Sequence, residues 1–370
     1  MPTRKEIYKP IKHDKMSTIY IRTLKRADHT VFCVADGQKT YYDPQFSRRI
    51  PYSSGQQIKR SLIDSLSKAL NEVPSPTTFL FDVNKAGEMK EGEVYATCNP
   101  TFADQLFGGW MKAAKGGKDR TIKRRSPLSI SSMRGLHPLL AGVDSENVSF
   151  DRSDRPNNEV IIRNEKGEEL TEDQISELLT GKDRSLSRKW IPDNRRATGL
   201  FVQDIAIDLR RLFCVLLNKL EPEITTETEA NLREQGWAET TTVFGTCLLA
   251  PKPVREKLIP ALASAIINWT ITSNQSRTFS LMETLAVSIS DNANRIAGSI
   301  RAKLKEEEDN KAEPIIEEEM KGVESFVTLA AGGYIRTKKE SVDALEKAEE
   351  KLIELMKAYD YENQLTISDS

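Results

Sequence analysis

Histidine and cysteine are scarce in this chain of 370 residues, which has three histidines and four cysteines. The cysteines form no Cys-x-x-Cys pair, so the sequence excludes a zinc ribbon and a thioredoxin-like redox motif. No two histidines have the His-x-x-x-His spacing of the usual catalytic zinc sites. We therefore expect no metal site and no cofactor.

Long apolar segments are also missing. The longest purely apolar run, Leu212–Leu217, is far shorter than the ~20 residues that span a bilayer. The polar and basic residues 1–15 lack the apolar stretch of a secretory signal, and sparse cysteines are typical of a reducing compartment. We expect a cytoplasmic protein with no membrane partner.

Charge is balanced over the whole chain but unevenly distributed, with 54 Lys+Arg against 55 Asp+Glu. Residues 1–150 hold 24 basic and 15 acidic residues, whereas residues 301–370 hold 11 basic and 18 acidic residues. This asymmetry indicates one surface for a polyanion and another that is solvated or meets basic partners. Two unrelated solvated faces would give the same counts.

The order of the predicted strands and helices indicates an α+β fold. Strands are predicted at 17–24, 77–83, 201–209, 240–250 and 278–289, a hairpin around Asp36-Gly37, and helices at 54–70, 251–269, 291–305 and 340–358. Strands in one sheet with helices on one side form an α+β sandwich, a class that includes RRM-like and ferredoxin-like sheets. The acidic segment 306–319 is predicted as a solvated helix or loop.

Residues 85–195 have little apolar periodicity and much glycine, proline, asparagine and charge. We expect them to form a large basic insertion into one discontinuous domain made of residues 1–84 and 196–370. Glycines in the densest cationic stretch, 108–135, disfavour a regular helix, so a basic loop that wraps a phosphate backbone is expected. Its candidate RNA-binding residues are Arg120, Lys123, Arg124, Arg125 and Arg134. A surface loop without a ligand is the alternative.

The segment RRIPYSSGQQIKRSL, residues 48–62, carries the most specific chemistry. It places backbone N–H groups at the start of a helix, where the helix dipole favours an anion. The donors are spread along the segment, which suits a sugar–phosphate chain better than one mononucleotide, and no Walker pattern is present. The candidate RNA-binding residues are Arg48, Arg49, Ser53, Ser54, Gly55, Gln56, Lys59 and Arg60. An ordinary serine-capped helix with exposed Lys-Arg is the alternative.

Four segments together resemble the repeated backbone subunit of CRISPR Cascade complexes, which belongs to the DevR-like group of the RAMP superfamily. They are STIYIRTL (17–24), RRIPYSSGQQIKRSL (48–62), RRSPLSIS (124–131) and the SNQSR loop (273–277), in which Arg277 could clamp a phosphate. The resemblance covers most of the chain and is most specific at 48–62 and 124–131.

The resemblance implies a modified RRM palm with a finger-like insertion, here within 85–195. Several copies would assemble head-to-tail as a helical filament along one CRISPR RNA, in a type I ribonucleoprotein for antiviral defence or for guided transposition. Ser54, Gln56, Lys59 and Arg60 would hold the guide backbone, with Arg124 and Arg125 close to it. A thumb hairpin would displace one base at regular intervals, and residues 29–43 or the insertion are candidates for it. The implied partners are CRISPR RNA, target DNA through the guide, other copies of the chain and other Cascade subunits.

Two other functions remain open. A metal-dependent RNA-cleaving subunit, as in type III effectors, would use an aspartate such as Asp28, Asp36 or Asp43. No paired-carboxylate spacing distinguishes these residues, and an Asp-Gly aspartate is more often a turn residue, so we expect a non-catalytic RNA-binding scaffold. The other alternative is an interaction module unrelated to CRISPR, whose basic loop docks an acidic protein.

Overall fold

The structure of the chain is a computed structural model, which describes residues 8–10, 16–32, 38–113, 120–145, 161–181, 195–271, 279–306 and 308–367. Within these ranges the helices are α1 (Gly55–Leu70), α2 (Ala103–Gly108), α3 (Glu172–Leu179), α4 (Leu209–Leu212), α5 (Thr226–Glu234), α6 (Lys252–Asn268), α7 (Ala293–Ser299) and α8 (Ala344–Ala358), with a 3-10 turn at Leu329–Gly333. None of the helices in this part of the chain is long and apolar enough to cross a membrane.

The strands of the described ranges fall along the whole chain. They are β1 (Tyr8–Pro10), β2 (Thr18–Thr30), β3 (Thr40–Asp43), β4 (Arg48–Ser53), β5 (Thr77–Val83), β6 (Met89–Ala96), β7 (Trp110–Lys112), β8 (Ile122–Arg124), β9 (Leu128–Ile130), β10 (Met133–Gly135), β11 (Ala141–Ser145), β12 (Arg195–Asp208), β13 (Cys214–Leu216), β14 (Ala238–Thr242), β15 (Gly245–Leu249), β16 (Thr284–Ser290), β17 (Ile300–Lys305), β18 (Glu308–Ile316), β19 (Val323–Thr328), β20 (Glu340–Ser341) and β21 (Leu365–Ile367).

One large sheet organises the fold. Its strand order is β20-β19-β16-β2-β12-β10-β4-β3, and β9 and β11 also pair with β12. The long strands β2 and β12 are antiparallel neighbours at the centre, with Ile21 opposite Ile205 and Ile19 opposite Ile207. Because side chains alternate along a strand, these isoleucines all lie on one face of the sheet and form part of the main core.

Helices α1, α6 and α8 supply the other side of this core. Helix α1 buries Ile58, Leu62 and Leu66, which recur every four residues and share one face, as the sequence predicts. Helix α6 packs against both α1 and α8. The central elements follow one another as β2, α1, β9 and β10, β12, α6 and β16, and the mixed α+β fold is confirmed.

The opposite face of the sheet is partly covered by the hairpin β17–β18. Ile300 and Ile316 of the hairpin pack with Leu24, Leu200 and Val202 in a second apolar cluster. The acidic segment 306–319 therefore contains a strand, and its prediction as a helix or loop was wrong. Charged side chains on the outer face of a two-stranded hairpin stay hydrated, so a charge run does not argue against a strand. Likewise, the helix predicted at 291–305 ends at Ser299 and continues as β17.

Two predicted strands have a different setting from the one expected. The strand at 77–83 exists, but among the described residues it pairs with β6 alone. Phe79 and Phe81 are 60% and 59% exposed, so it is not a core strand. The segment 240–250 contains the hairpin β14–β15, which turns at Val243 and Phe244. Apolar composition marks both segments as strands, but pairing partners depend on the rest of the chain.

The hairpin predicted around Asp36-Gly37 is also different. Strand β3 pairs with β4, so that Asp43 lies opposite Arg48, and it does not pair with the end of β2. The predicted turn at Asp36-Gly37 lies outside the described residues.

Part of the predicted insertion belongs to the large sheet. Strands β9, β10 and β11, which span residues 128–145, all pair with β12. These strands are short and contain serine, arginine and glycine, so their local pattern is weak and the long strand β12 determines their position. The hairpins β5–β6 and β7–β8 lie outside this sheet. The division into residues 1–84 with 196–370 and an insertion at 85–195 stays a prediction.

A buried lysine lies in the core between the sheet and the helices. The Nζ of Lys25 donates a hydrogen bond to Thr284 Oγ1 at 2.8 Å and lies 4.7 Å from the centre of the Trp269 ring. Burial lowers the pKa of Lys25 from 10.5 to about 8. The lysine therefore links β2, β16 and the end of α6, but its cationic form is held at a cost.

This cost gives the stability of the protein a defined dependence on pH. Between pH 8 and 10.5 the unfolded chain holds the Lys25 proton more tightly than the folded chain, so stability rises with pH in this window. Relative to Lys25→Met, the wild type should gain roughly 3 kcal/mol in free energy of unfolding across it. Urea unfolding of both proteins at several pH values measures the difference. An unchanged difference between them would contradict the buried cation.

Candidate nucleic-acid interface

The start of α1 is a capped helix terminus, as the sequence predicts. Ser54 is the N-cap residue, and its hydroxyl accepts a hydrogen bond from the backbone N–H of Gln57 at 3.3 Å. Ser53 is fully buried at the end of β4, opposite Met133. The sheet encloses the Ser53 side chain, so the side chain is not accessible to a ligand, and the predicted role of Ser53 in RNA binding stays a prediction.

Gly55 is required by the packing of the protein on itself. A Cβ atom at this position would lie 2.6 Å from the carbonyl oxygen of Ile130, at the end of β9. A glycine at the start of a helix can also leave room for a ligand to approach the backbone closely. The structure shows that the backbone of β9 uses that room, so any larger residue would push the helix start away from the sheet.

The predicted RNA-binding side chains that follow Gly55 differ in their availability. Gln56 and Arg60 are exposed and have no side-chain partner among the described residues. Lys59 is half-buried, and its Nζ donates to the carbonyl oxygen of Gly108 at 2.5 Å. Burial, and then the charge of Arg124, lowers the pKa of Lys59. Gln56 and Arg60 are therefore free to bind a ligand, whereas Lys59 connects α1 to the end of α2.

Arg124, one of the predicted RNA contacts, is buried and makes its contacts inside the protein. It is 4% exposed and donates hydrogen bonds to the carbonyl oxygens of Cys214 (3.1 Å), Arg211 (2.9 Å) and Leu106. Burial lowers the pKa of Arg124 to about 10, and the carboxylate of Glu223, 3.8 Å away, partly offsets that cost. Three segments of backbone are thus joined by one guanidinium.

The neighbours of Arg124 lie at the surface. Lys123 forms an exposed ion pair with Glu221 at 2.9 Å, and Arg120 donates to the carbonyl oxygen of Lys219. Arg125 is exposed and has no partner among the described residues. Exposed ion pairs contribute little stability, so Lys123 can exchange Glu221 for a phosphate at small cost. Arg120 can exchange its carbonyl partner, which belongs to the exposed Lys219, in the same way.

Arg125 lies beside two arginines that the sequence analysis missed. Arg125, Arg210, Arg211 and Phe244 line a pocket of about 230 Å³ at the end of β12. The guanidinium carbons of Arg210 and Arg211 lie 5.0 and 4.3 Å from the centre of the Phe244 ring. This cation–π contact holds both side chains at the pocket. We call these four residues the basic pocket.

The basic pocket keeps a net positive charge. Asp208 accepts two hydrogen bonds from Arg210 at 2.8 and 3.0 Å, and it is the one carboxylate among the described residues that line the pocket. Arg211 approaches Glu223 only to 3.8 Å, and Arg124 shares that carboxylate. Three guanidiniums therefore face one carboxylate, and free N–H donors remain for a phosphate group.

Backbone contacts connect the basic pocket to the start of α1. Lys59 binds the carbonyl of Gly108, and the next residue, Gly109, has a φ of 72° and packs against the backbone of residues 124–126. Gly109 adopts the left-handed conformation that favours glycine, and a Cβ there would lie 2.6 Å from the carbonyl oxygen of Arg124. The structure thus brings Lys59 and Arg125 to one region.

A signal for the missed residues exists in the sequence but is weak. Arg210 and Arg211 follow the predicted strand directly, and Phe244 lies at a turn within a segment predicted as one strand. An aromatic residue at a turn is often exposed, so a correct hairpin prediction would have indicated Phe244. No local pattern indicates that this turn and the end of β12 meet.

The remaining predicted residues lie elsewhere. Arg134 pairs with Asp204 at 3.1 Å on the sheet face opposite the helices, where Asp204 also binds Arg22 at 2.7 Å. Arg48 and Arg49 are exposed at the far end of β4. Six residues of extended chain separate Arg48 from Ser54, a distance of about 20 Å. Arg277 lies outside the described residues.

The aspartates considered for RNA cleavage have structural contacts. Asp28 pairs with Arg26 at 3.0 Å, and Asp43 Oδ1 accepts a hydrogen bond from the backbone N–H of Phe46 at 2.9 Å, in the turn between β3 and β4. Asp36 lies outside the described residues. In the part of the chain that the structure describes, no group of three or more His, Cys, Asp or Glu side chains is arranged to hold a metal ion.

The chain is similar to chains of solved CRISPR complexes at low sequence identity. No protein-family model matches the chain, and no curated protein matches it. The chain is similar to a chain of a "CRISPR RNA-guided surveillance complex, pre-nicking" with a TM-score of 0.44 and 9% identity, over 74% of this chain and 77% of that chain. It is also similar to a chain of a "CRISPR RNA-guided surveillance complex" with a TM-score of 0.39 and 12% identity, over 76% of this chain and 74% of that chain.

The contacts of α1 predict different effects for adjacent residues. Arg60→Ala should weaken binding of single-stranded RNA several-fold and leave the melting temperature unchanged, because Arg60 is exposed and unpaired among the described residues. Lys59→Ala should destabilise the protein by about 1 kcal/mol, because it removes the hydrogen bond to Gly108. Filter binding and thermal melting measure the two effects. Lys68→Ala, an exposed cation in the last turn of α1, is the matched control. An equal loss of binding in Lys68→Ala would show a general charge effect.

Proposed function

We propose that this chain is a non-catalytic CRISPR RNA-binding backbone subunit that polymerises along the guide RNA in a type I Cascade-like effector. The basic pocket is the observation that carries the proposal. In this pocket three arginines face one carboxylate. The pocket also lies close to the start of α1, whose sequence resembles that of the Cascade backbone subunits. A surface of this kind suits phosphates, which are the same in every guide sequence.

In this proposal the guide backbone passes from Gln56 and Arg60 across Gly108 to Arg125, Arg210 and Arg211. Lys123 and Arg120, whose present partners are exposed, would bind further phosphates. Contacts to phosphate and sugar without contacts to base edges leave the bases free to pair with target DNA. Arg124 and Ser53 support this surface from within the protein and do not touch the RNA.

The order of the central elements supports the proposed palm. The succession β-α-β-β-α-β, with β16-β2-β12-β10 across the sheet, is that of a split βαβ arrangement. RRM sheets have the same class of architecture. We propose that this sheet, with α1 and α6, is a modified RRM palm.

The hairpin β5–β6 is our candidate for the thumb. Phe79, Phe81 and Val83 alternate along β5 and so lie on one face, with Val94 opposite Phe79 and Met89 opposite Val83. All five residues are exposed to solvent, and their exposed fractions range from 46% for Val94 to 80% for Met89. A projecting hairpin with aromatic rings on one face is suited to stacking against unpaired bases of single-stranded RNA. Neither 29–43 nor a segment wholly inside 85–195 offers such a face among the described residues.

RNA cleavage has no specific observation in its favour. The contacts of Asp28 and Asp43 are those of an ion pair and a turn, which supports a scaffold role for this part of the chain. Docking of an acidic protein at the basic pocket is the other alternative. Ultraviolet absorbance of the purified protein distinguishes it, since a guide-binding subunit should carry RNA.

Assembly on RNA tests the proposed function. Without RNA the protein should form small species, because attraction between oppositely charged surfaces is screened beyond about 8 Å at physiological salt. With single-stranded RNA it should form filaments whose length grows with the RNA, because each bound subunit raises the effective concentration for the next. A head-to-tail contact that does not close makes an open helix. Light scattering and negative-stain imaging over a series of RNA lengths measure this.

Variants make the assembly test specific. Arg120, Lys123 and Arg125 replaced together by Ala should shorten or abolish the filaments. Lys252 and Lys257 replaced by Ala are the control, because they are exposed cations of α6 on the helical side of the sheet. Closed rings of fixed size, or filaments indifferent to RNA, would refute the backbone-subunit function.

The thumb assignment predicts a separate effect of aromatic rings. Phe79→Leu with Phe81→Leu should keep the fold, because both side chains are exposed, and should weaken RNA binding by about 1–3 kcal/mol for each stacked base. Chemical probing of bound RNA should show a regular pattern of unstacked bases with the wild type and lose it with the variant. Leu329→Ala with Val342→Ala, two exposed apolar residues elsewhere, is the control. An unchanged pattern in the Phe variant would exclude β5–β6 as the thumb.

A further inference from the structure

A second basic site lies on the side of the sheet opposite the helices. The hairpin β17–β18 and the strands β11 and β12 form the walls of a groove of about 760 Å³. We call it the hairpin groove. Its volume is within the ~300–1,000 Å³ of typical ligand sites. The groove is formed by segments far apart in sequence, so no local motif indicates it.

Three cations from three separate segments line the hairpin groove. They are Arg48 at the start of β4, Lys305 at the end of β17 and Arg336 after the 3-10 turn. None of the three has an ion-pair or hydrogen-bond partner in the described part of the chain. The lining includes one described carboxylate, that of Glu313. Among these side chains the positive charge exceeds the negative by two.

The groove also offers apolar and aromatic surface. Leu139, Leu200 and Ile315 line it, together with Tyr334, whose ring is 44% exposed. The guanidinium of Arg26 lies 4.6 Å from the centre of the Tyr334 ring and fixes its position. A ligand that fills this groove therefore needs both negative charge and flat apolar surface.

The floor of the groove is already formed. Gly199 has a φ of 136°, and a Cβ there would lie 2.3 Å from the carbonyl oxygen of Leu140. The same carbonyl accepts a hydrogen bond from the backbone N–H of Leu200 at 2.9 Å. Only glycine allows this close approach, which fixes the backbone of β12 and Leu140 where both line the groove. A preformed site loses less entropy when a ligand binds.

We propose that the hairpin groove binds a segment of single-stranded nucleic acid. Cations on separate segments suit a chain that repeats its negative charge at every phosphate, and the Tyr334 ring provides a surface on which any base can stack. An acidic peptide would satisfy the cations but would leave the aromatic surface unused. The segment is either a continuation of the strand bound at the basic pocket or a second strand.

The hairpin groove is distinct from the start of α1. Arg48 lies in the groove, whereas Ser54 caps α1 at the other end of β4, about 20 Å away. Arg48 and the helix start are neighbours along the chain, and on that basis the sequence predicts one site for both. The strand between them carries them to different sites, so the two sites can be altered independently.

Binding of fluorescent oligonucleotides of about ten nucleotides tests the proposal, with one series of uridines and one of deoxythymidines. We expect Arg48→Gln, Lys305→Gln and Arg336→Gln together to weaken binding at least tenfold. The slope of log affinity against log salt should fall by about two, since each phosphate contact on a single strand contributes roughly 0.7. Glu313→Gln should strengthen binding, and this gain keeps the test valid if the triple variant does not fold.

A matched control separates the groove from general charge. Three other cations of the same hairpin each form an ion pair with a glutamate. Arg301 pairs with Glu317 at 2.5 Å, Lys303 with Glu306 at 3.0 Å, and Lys311 with Glu308. Their replacement by Gln removes the same number of charges and should leave oligonucleotide binding unchanged. An equal loss in this control, or no effect of either the groove triple variant or Glu313→Gln, would overturn the proposal.

The same assay distinguishes the groove from the basic pocket and identifies its ligand. The effect of the groove variant should persist when Arg60 and Arg125 are also replaced by Ala, so failure at one site leaves the other testable. Protein preloaded with long RNA should still take the oligonucleotide if the groove serves a second strand, and should not if the first strand already fills it. Displacement by a polyglutamate peptide or by pyrophosphate as efficiently as by an unlabelled oligonucleotide would contradict a strand-binding groove.

Discussion

The antiparallel pairing of β2 with β12 is the constraint on which the rest of the structure depends. Its register places Ile21 opposite Ile205 and Leu24 opposite Val202, and these pairs belong to the two apolar clusters on opposite faces of the sheet. A shift by one residue would exchange the faces and bury Asp204 among the helices. The pairing thus fixes the helical layer, the position of the hairpin β17–β18 and, through the end of β12, the basic pocket.

Cationic residues serve two distinct purposes in this protein, and burial decides which. Lys25 and Arg124 are buried, and their charged groups contact a hydroxyl, a carbonyl oxygen and an aromatic ring inside the protein. Lys25 binds the Thr284 hydroxyl, and Arg124 binds the Cys214 carbonyl and lies against the Trp110 ring. Arg125, adjacent to Arg124, is exposed without a partner among the described residues. Adjacent residues at the end of a strand point in opposite directions, so neighbours of identical chemistry can have opposite roles. Composition counts both alike, although only one is available to a ligand.

The two proposed nucleic-acid sites share a physical design. Each combines cations that outnumber the carboxylates with one aromatic ring in contact with a guanidinium: Phe244 contacts Arg210 and Arg211 of the basic pocket, and Tyr334 of the hairpin groove is held by Arg26. At both, a glycine with a positive φ allows two backbone segments to approach closely, Gly109 against residues 124–126 and Gly199 against Leu140. Such preorganised positive sites attract phosphate without base preference, as a scaffold for variable strands requires.

The sequence by itself determined the elements whose signals are local. The Ser54 cap and the four-residue spacing of Ile58, Leu62 and Leu66 define α1, and β-branched alternation defines the core of β2, because neighbours along the chain settle these features. Only the tertiary structure decided which polar residues face solvent and which segments meet. Gly55 packs against Ile130, and Arg48 joins Lys305 and Arg336 far from the helix start, because contacts between residues distant in sequence have no local pattern.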